Sequence, residues 1–109
     1  MKMVTAIIQP LRLDEVVQAL EVIGVDRLTI TQVIGVGRTG PRKRIHPDEP
    51  PPAPLPPRTM IQVAVRAALL PEVIAAIRKG AVSGKPGDGK IFISEIERVI
   101  RVRDGEPER

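Results

Sequence analysis

A loop rich in glycine and lysine carries the clearest chemical pattern in the sequence. The glycine loop, residues 83–90, has the sequence SGKPGDGK. Its glycines let the backbone approach a ligand closely, and its two lysines supply positive charge for phosphate oxygens. The spacing is neither that of a Walker loop nor that of a dinucleotide-binding fingerprint, and a strand follows where those motifs have a helix. The pattern predicts an anion-binding loop, with an ordinary glycine-rich turn as the alternative.

Two arginines near the end of the chain could complete such a site. Arg101 and Arg103 are two positions apart, so in an extended segment they would lie on one face. Guanidinium groups bind phosphate oxygens bidentately. A solvated basic strand edge is the alternative interpretation. Together with Lys90 and the glycine loop, the arginines favour polyphosphate binding.

Composition limits the class of protein. A chain of 109 residues predicts one domain with a small core, and Phe92 is its only aromatic residue, so the interior must be aliphatic. Burial of further aliphatic surface between subunits would stabilise it. The formal net charge of +4 favours anionic partners.

The sequence lacks the residues that several kinds of metal binding and catalysis require. There is no cysteine, and His46 is the single histidine, so we expect no metal site, no catalytic residues and no enzymatic activity. No apolar run approaches the length of a membrane span, and the start of the chain lacks a signal-peptide pattern. We expect a cytoplasmic protein that is not embedded in a membrane.

The periodicity predicts an alternation of strands and helices. The predicted strands are Met3–Gln9, Arg27–Val36, Thr59–Ala67 and Lys90–Glu97, with Phe92 in the core; the predicted helices carry apolar stripes from Leu13 to Ile23 and from Leu70 to Ile77, and end at Gly24 and Gly80. A short extended piece at Val99–Arg103 and a frayed tail at Asp104–Arg109 follow. The order predicts an α+β fold of the ferredoxin-like βαββαβ type, with two helices on one face of a four-stranded antiparallel sheet. Met60, Gln62 and Ala64 should lie on the uncovered face and meet partner subunits.

The middle of the chain has a different composition. Eight prolines lie between Pro41 and Pro57, which predicts an extended and mobile proline segment over residues 39–58. Its tract Pro50–Pro54 could bind an aromatic groove or act as a stiff spacer. A basic cluster in it consists of Arg42, Lys43 and Arg44, preceded by Arg38. They could contact a nucleic-acid backbone, but aromatic stacking residues are lacking, so we expect no nucleic-acid partner.

Four stretches of the sequence together resemble a known protein family. The stretches that carry the resemblance are AIIQP at 6–10, GVGR at 35–38, GKPGDGKIF at 84–92 and RVIRVRDGE at 98–106. Their spacing resembles the nitrogen-regulatory signal-transduction protein PII family over nearly the whole chain. The resemblance implies one domain, 1–109, that forms a homotrimer, with a T-loop at 36–58, a B-loop at 81–90 and a C-terminal segment at 98–109. It also implies that each cleft between subunits binds ATP or ADP, with AMP a further candidate and Mg²⁺ an accompanying ion, and that the T-loop docks on a client enzyme or membrane transporter.

The resemblance assigns roles by position. Thr29 and Ala64 would lie near the adenine, and Gly35, Gly37 and Arg38 would frame the nucleotide from the base of the T-loop. The phosphates would be held by Gly87, Asp88, Gly89 and Lys90 of one chain and by Arg101 and Arg103 of its neighbour.

The departures from the family pattern concern regulation. Pro51 stands at the position of the modified T-loop tyrosine, and Glu49 at that of the phosphorylated serine. The effector-associated glutamine and lysine of the family, which help bind 2-oxoglutarate, correspond to Thr39 and Arg58. These differences predict an adenine-nucleotide sensor without covalent modification and with weak 2-oxoglutarate binding. The alternative is a regulator of carbon assimilation or transport that responds to nucleotide and bicarbonate.

Overall fold

A computed structural model describes residues 1–36, 48 and 55–108 of the chain. Its elements are β1 (Lys2–Ile8), α1 (Leu13–Val22), β2 (Thr29–Ile34), β3 (Pro57–Val65), α2 (Leu70–Ala81), β4 (Gly89–Glu95), β5 (Val99–Ile100) and β6 (Pro107–Glu108). The first four strands form an antiparallel sheet in the order β2-β3-β1-β4. This order and the two helices confirm the predicted ferredoxin-like fold.

The helices cover one face of the sheet. Both are preceded by a short 3₁₀ turn, at Pro10–Arg12 and Ala67–Leu69. Their buried residues join alternate residues of β1 and β3 in one aliphatic core. The core residues are Val4, Ala6, Ile8, Val16, Leu20, Val25, Ile61, Val63, Val65, Val73, Ala76, Ile77 and Ala81. Because strand side chains alternate between faces, the residues between them lie on the opposite, open face.

Gly80 lies inside α2 instead of ending it, which corrects the predicted helix end. A Cβ atom at this position would lie 2.7 Å from both Cα and N of Val16 in α1. The missing side chain therefore lets the two helices approach backbone to backbone. The helix continues to Ala81.

The open face contains the residues predicted for it. Met60, Gln62 and Ala64 alternate with buried residues of β3. In register they align with Ile7, Thr5 and Met3 of β1. The prediction for Phe92 is wrong: it is opposite Thr5 and 54% exposed, because it lies on the edge strand β4 and on the face that the helices leave uncovered.

The end of the chain also differs from the prediction. The predicted frayed tail instead pairs back on itself, with Val99 opposite Glu108 and Ile100 opposite Pro107. The chain reverses direction between β5 and β6 in a turn rather than an extended segment, so Arg101 and Arg103 do not share the face of a strand. Gly105 has a φ of 71°, a left-handed conformation that glycine adopts without strain and that closes the turn.

Candidate functional site

The ends of four strands lie side by side at one end of the sheet. Ile8 at the end of β1 is opposite Thr59 on β3 and Gly89 on β4, while Ile34 at the end of β2 is opposite Pro57. This register brings the glycine loop next to the two points where the proline segment leaves and re-enters the sheet. The sequence pattern could not supply that adjacency, because it depends on the pairing of β1 with both β3 and β4.

The glycine loop is held in shape by a carboxylate. Asp88 accepts hydrogen bonds from the Ser83 N–H at 2.8 Å, from the Gly84 N–H at 3.0 Å and from the Ser83 hydroxyl. The Lys85 N–H donates to that hydroxyl oxygen at 3.2 Å. The Ser83 hydroxyl bond is the main reason why the pKa of Asp88 lies below its usual value. Asp88 therefore stabilises the loop from inside, and contact with a ligand by this residue stays a prediction.

Gly89 permits the closest backbone approach in the described part of the chain. A Cβ atom at this position would lie 1.8 Å from the Ile7 carbonyl oxygen, and φ is +114°. No other residue type fits both constraints. The glycine thus lets β4 start directly beside the end of β1, which fixes the position of Lys90.

Lys90 extends the loop onto the open face. It is opposite Ile7 and exposed. Within residues 1–36, 48 and 55–108, its ammonium group makes no hydrogen bond or ion pair. The charge of Lys90 is therefore available to an anion.

Two further side chains meet the loop at Gly87. The amide of Gln9 donates to the Gly87 carbonyl oxygen at 2.6 Å. A Cβ at Gly87 would lie 3.9 Å from Nη2 of Arg58, whose Nη1 donates to the Pro57 carbonyl at 2.8 Å. Arg58, predicted as effector-associated, thus lies between the glycine loop and Gly35, where a Cβ would be 3.0 Å from the Arg58 Cγ. The sequence assigns no role to Gln9, although Gln9 belongs to the stretch AIIQP that carries the family resemblance.

A small cavity of about 260 Å³ lies behind the loop, between α2 and β4. Its walls are formed by Ile8, Ile77, Ala81, Val82 and Ile91 together with Arg78, Asp88, Gly89 and Lys90. Most of this lining is apolar, but Arg78 and Lys90 are cations that could donate hydrogen bonds to an anion. The glycine loop and Lys90 thus border this cavity, and phosphate binding by them stays a prediction.

The arginine pair lies at the other end of the sheet. Lys2 is opposite Glu95, and the Ile96 N–H donates to the Met1 carbonyl at 3.1 Å, so the chain enters the β5–β6 hairpin beside the start of β1. The glycine loop lies at the other end of the seven-residue strand β1, and its six steps of about 3.3 Å correspond to roughly 20 Å. A single chain therefore does not bring the two groups of cations to one phosphate.

Ala64 lies towards the end of the sheet next to the β5–β6 hairpin, whereas Thr29 lies at its middle. Thr29 is opposite Gln62, and Ala64 is opposite Met3. A surface pocket of about 480 Å³ includes Ala64 and Glu108 of the hairpin in its lining. Of the two predicted adenine residues, Ala64 is thus near the hairpin that carries the arginines, while the glycine loop lies with Gly35 and Arg58 at the other end of the sheet.

Some predicted features lie outside the described residues. These are Gly37, Arg38 and Thr39, the basic residues Arg42, Lys43 and Arg44, His46, Glu49, Pro51 and the tract Pro50–Pro54. In the part of the chain that is described, no three His, Cys, Asp or Glu side chains are grouped as metal ligands. No helix there is long and apolar enough to span a membrane.

Comparison with known proteins adds the family context. The profile of the family "Nitrogen regulatory protein P-II" matches residues 1–106. Nitrogen regulatory protein GlnK of Escherichia coli is 43% identical over 106 residues, which cover 97% of this chain and 95% of that protein. Nitrogen regulatory protein P-II of Rhizobium etli is 41% identical with the same coverage. The crystal structure of Arabidopsis thaliana PII bound to citrate superimposes with a TM-score of 0.80 and 31% identity, covering 98% of this chain and 84% of that one.

Proposed function

Because the chain belongs to the nitrogen regulatory protein P-II family, a family of signalling regulators, we propose that it binds ATP or ADP, with AMP a weaker candidate, in clefts between the subunits of a homotrimer. Nucleotide occupancy then sets the conformation of the T-loop, residues 36–58, which docks on a client enzyme or membrane transporter. Mg²⁺ accompanies the phosphates, and no catalytic step is required.

The observation that carries the proposal is the separation of the two cationic groups. Lys90 and the glycine loop lie at one end of the sheet, and Arg101 with Arg103 lies at the other. Neighbouring subunits in a closed ring can bring opposite ends of two chains into one cleft. The open face, with exposed Phe92 beside the aliphatic residues of β1 and β3, offers apolar surface for that assembly. Sedimentation of a stable monomer would contradict this arrangement.

Lys90→Ala and Arg103→Ala should each weaken ATP binding by about 1.5 to 3 kcal/mol, the scale of a lost hydrogen bond to a charged group. Isothermal titration calorimetry of each variant measures this loss. A mixture of the two variants, unfolded and refolded together, should recover tight sites, because about a quarter of the clefts then combine an intact Lys90 with an intact Arg103.

The mixing experiment has an internal control. Refolding a mixture of Lys90→Ala with the double variant Lys90→Ala, Arg103→Ala leaves no cleft with both cations and should recover nothing. Wild-type affinity in both single variants would remove these residues from the site. Loss of affinity without recovery on mixing would place both cations in one chain's site, against the proposed cleft.

A second candidate concerns the effector. Arg58 lies against Gly35 and Gly87, which is where the resemblance puts the 2-oxoglutarate-binding lysine. A guanidinium has a wider, planar shape than an ammonium group, and Thr39 is shorter than glutamine. This favours a regulator that responds to nucleotide together with another small anion such as bicarbonate, in carbon assimilation or transport.

We expect 2-oxoglutarate to bind the ATP- and Mg²⁺-loaded protein only in the millimolar range or not at all. Each of the two mismatches costs on the order of 1 to 3 kcal/mol, and about 4 kcal/mol separates micromolar from millimolar affinity. Calorimetric titration with 2-oxoglutarate and, in parallel, bicarbonate is the measurement. The double variant Thr39→Gln, Arg58→Lys should gain 2-oxoglutarate affinity, whereas micromolar binding by the wild type would identify an ordinary nitrogen sensor.

A further inference from the structure

The turn between β5 and β6 holds a carboxylate between its two arginines. Oδ2 of Asp104 lies 3.0 Å from Nη2 of Arg101 and 3.7 Å from Nη2 of Arg103. Nε of Arg101 lies 3.2 Å from Oδ1 and 3.3 Å from Oδ2, so the carboxylate faces the guanidinium edge with both oxygens. Two of the hydrogen-bonding nitrogens of Arg101 are therefore already occupied by an anion.

The backbone of the turn keeps this carboxylate in place. The Glu106 N–H donates to Oδ1 of Asp104 at 2.9 Å. The Arg101 N–H donates to the Glu106 carbonyl at 2.9 Å, and the Gly105 N–H donates to the Arg101 carbonyl at 2.9 Å. The bonds from Arg101 are the main reason why the pKa of Asp104 lies below its usual value, so the group is ionised at neutral pH.

We propose that Asp104 is a built-in competitor for phosphate at the arginine pair, because its Oδ2 occupies the position between the two guanidinium groups that a bridging phosphate oxygen would take. This inference rests on the proposed nucleotide site. A polyphosphate must displace Asp104 from Arg101 or bind next to its negative charge. Asp104 therefore lowers the affinity for phosphate-bearing ligands, and the effect grows with ligand charge, which makes Asp104 a determinant of selectivity among AMP, ADP and ATP.

Arg103 has the more accessible charge of the pair. Its side chain is 83% exposed, against 39% for that of Arg101, and its contact with Asp104 is longer than hydrogen-bond distance. A ligand can therefore reach Arg103 first, while full contact with Arg101 requires the Asp104 carboxylate to move away from it.

Asp104→Asn tests the proposal, because the amide keeps the shape and an oxygen acceptor for the Glu106 N–H but removes the charge. We expect ATP to bind about fivefold more tightly to this variant and AMP less than twofold more tightly. Glu106→Gln is the matched control: it removes the same charge from the same turn, and the Glu106 side chain makes no hydrogen bond or ion pair with another described residue. It should change ATP affinity less than twofold. Asp104→Ser, whose hydroxyl can also accept from the Glu106 N–H, repeats the test if the asparagine variant does not fold.

Inorganic tripolyphosphate, titrated in parallel, separates this inference from the proposed function. If the wild type binds neither ATP nor tripolyphosphate but Asp104→Asn binds both, nucleotide sensing by the native chain is wrong and the competitor role is supported. If wild type and variant bind ATP equally, or if the variant binds it more weakly, the competitor role is overturned while nucleotide sensing stands. If neither protein binds any phosphate compound, both proposals are overturned.

Discussion

Gly89→Ala should destabilise the protein by about 4 kcal/mol or prevent it from folding, an effect at the upper end for a single substitution. The added Cβ would lie 1.8 Å from the Ile7 carbonyl oxygen, and the backbone has a φ of +114° that alanine rarely adopts. Relief requires β4 to move away from β1, which breaks the pairing that positions Lys90. Urea denaturation at fixed protein concentration measures the loss, since assembly couples stability to concentration.

Gly84→Ala is the matched control for this prediction. Gly84 also has a positive φ, +83°, but a Cβ there would meet nothing within 4 Å. We therefore expect Gly84→Ala to lower the free energy of unfolding only by the conformational strain of a positive φ, about 1 to 2 kcal/mol. If the two variants lose equal stability, the contact with Ile7 is not what requires glycine at position 89.

Gly80→Ala should destabilise the protein by about 3 kcal/mol, although helix propensity by itself predicts a gain of about 1 kcal/mol. The new Cβ would lie 2.7 Å from both Cα and N of Val16 and 2.8 Å from the carbonyl carbon of Glu15, which are backbone atoms that cannot rotate away. The two helices would have to separate and expose part of the core around Val16, which is fully buried. Thermal and urea unfolding measure the sign as well as the size of the change.

Ala75→Gly separately measures the contribution of helix propensity to the free energy of unfolding. Ala75 is an exposed residue of the same helix, so its replacement should cost about 1 kcal/mol from backbone entropy. A stabilised Gly80→Ala variant would show that the helices have room to adjust and that their close approach does not depend on glycine.

The order of elements could be predicted from local patterns. The apolar stripe of α1 and the alternation in β3 are periodic over their whole lengths, and the proline segment separates two similar halves. The predicted end of α2 at Gly80 was wrong, because glycine ends many helices but here serves a contact with α1 that local sequence does not contain. The prediction that Phe92 lies in the core is also wrong, because alternation along a strand defines two faces but does not tell which face the helices cover.

The C-terminal turn shows what polar patterns leave undecided. A charged sequence such as Arg101 to Glu106 is typical of a frayed tail. It folds because Gly105 accepts a positive φ, Asp104 bonds the Glu106 N–H, and two short strands pair around the turn. Each of these contacts is weak, and only their combination offsets the entropy of ordering the segment. The relation between Asp104 and the arginines followed from that geometry.

Local sequence was sufficient to predict the class of fold, with two strand-helix-strand halves joined by a proline-rich loop, and to single out glycines suited to close backbone approach and cations suited to phosphate. Residue types and their local periodicity contain that information, because each depends on neighbours within a few positions. That the glycine loop and the arginines lie at opposite ends of one sheet became known from the three-dimensional fold. The reason is physical: strand register and pairing are interactions between distant segments, and they fix which side chains of one chain can reach the same ligand.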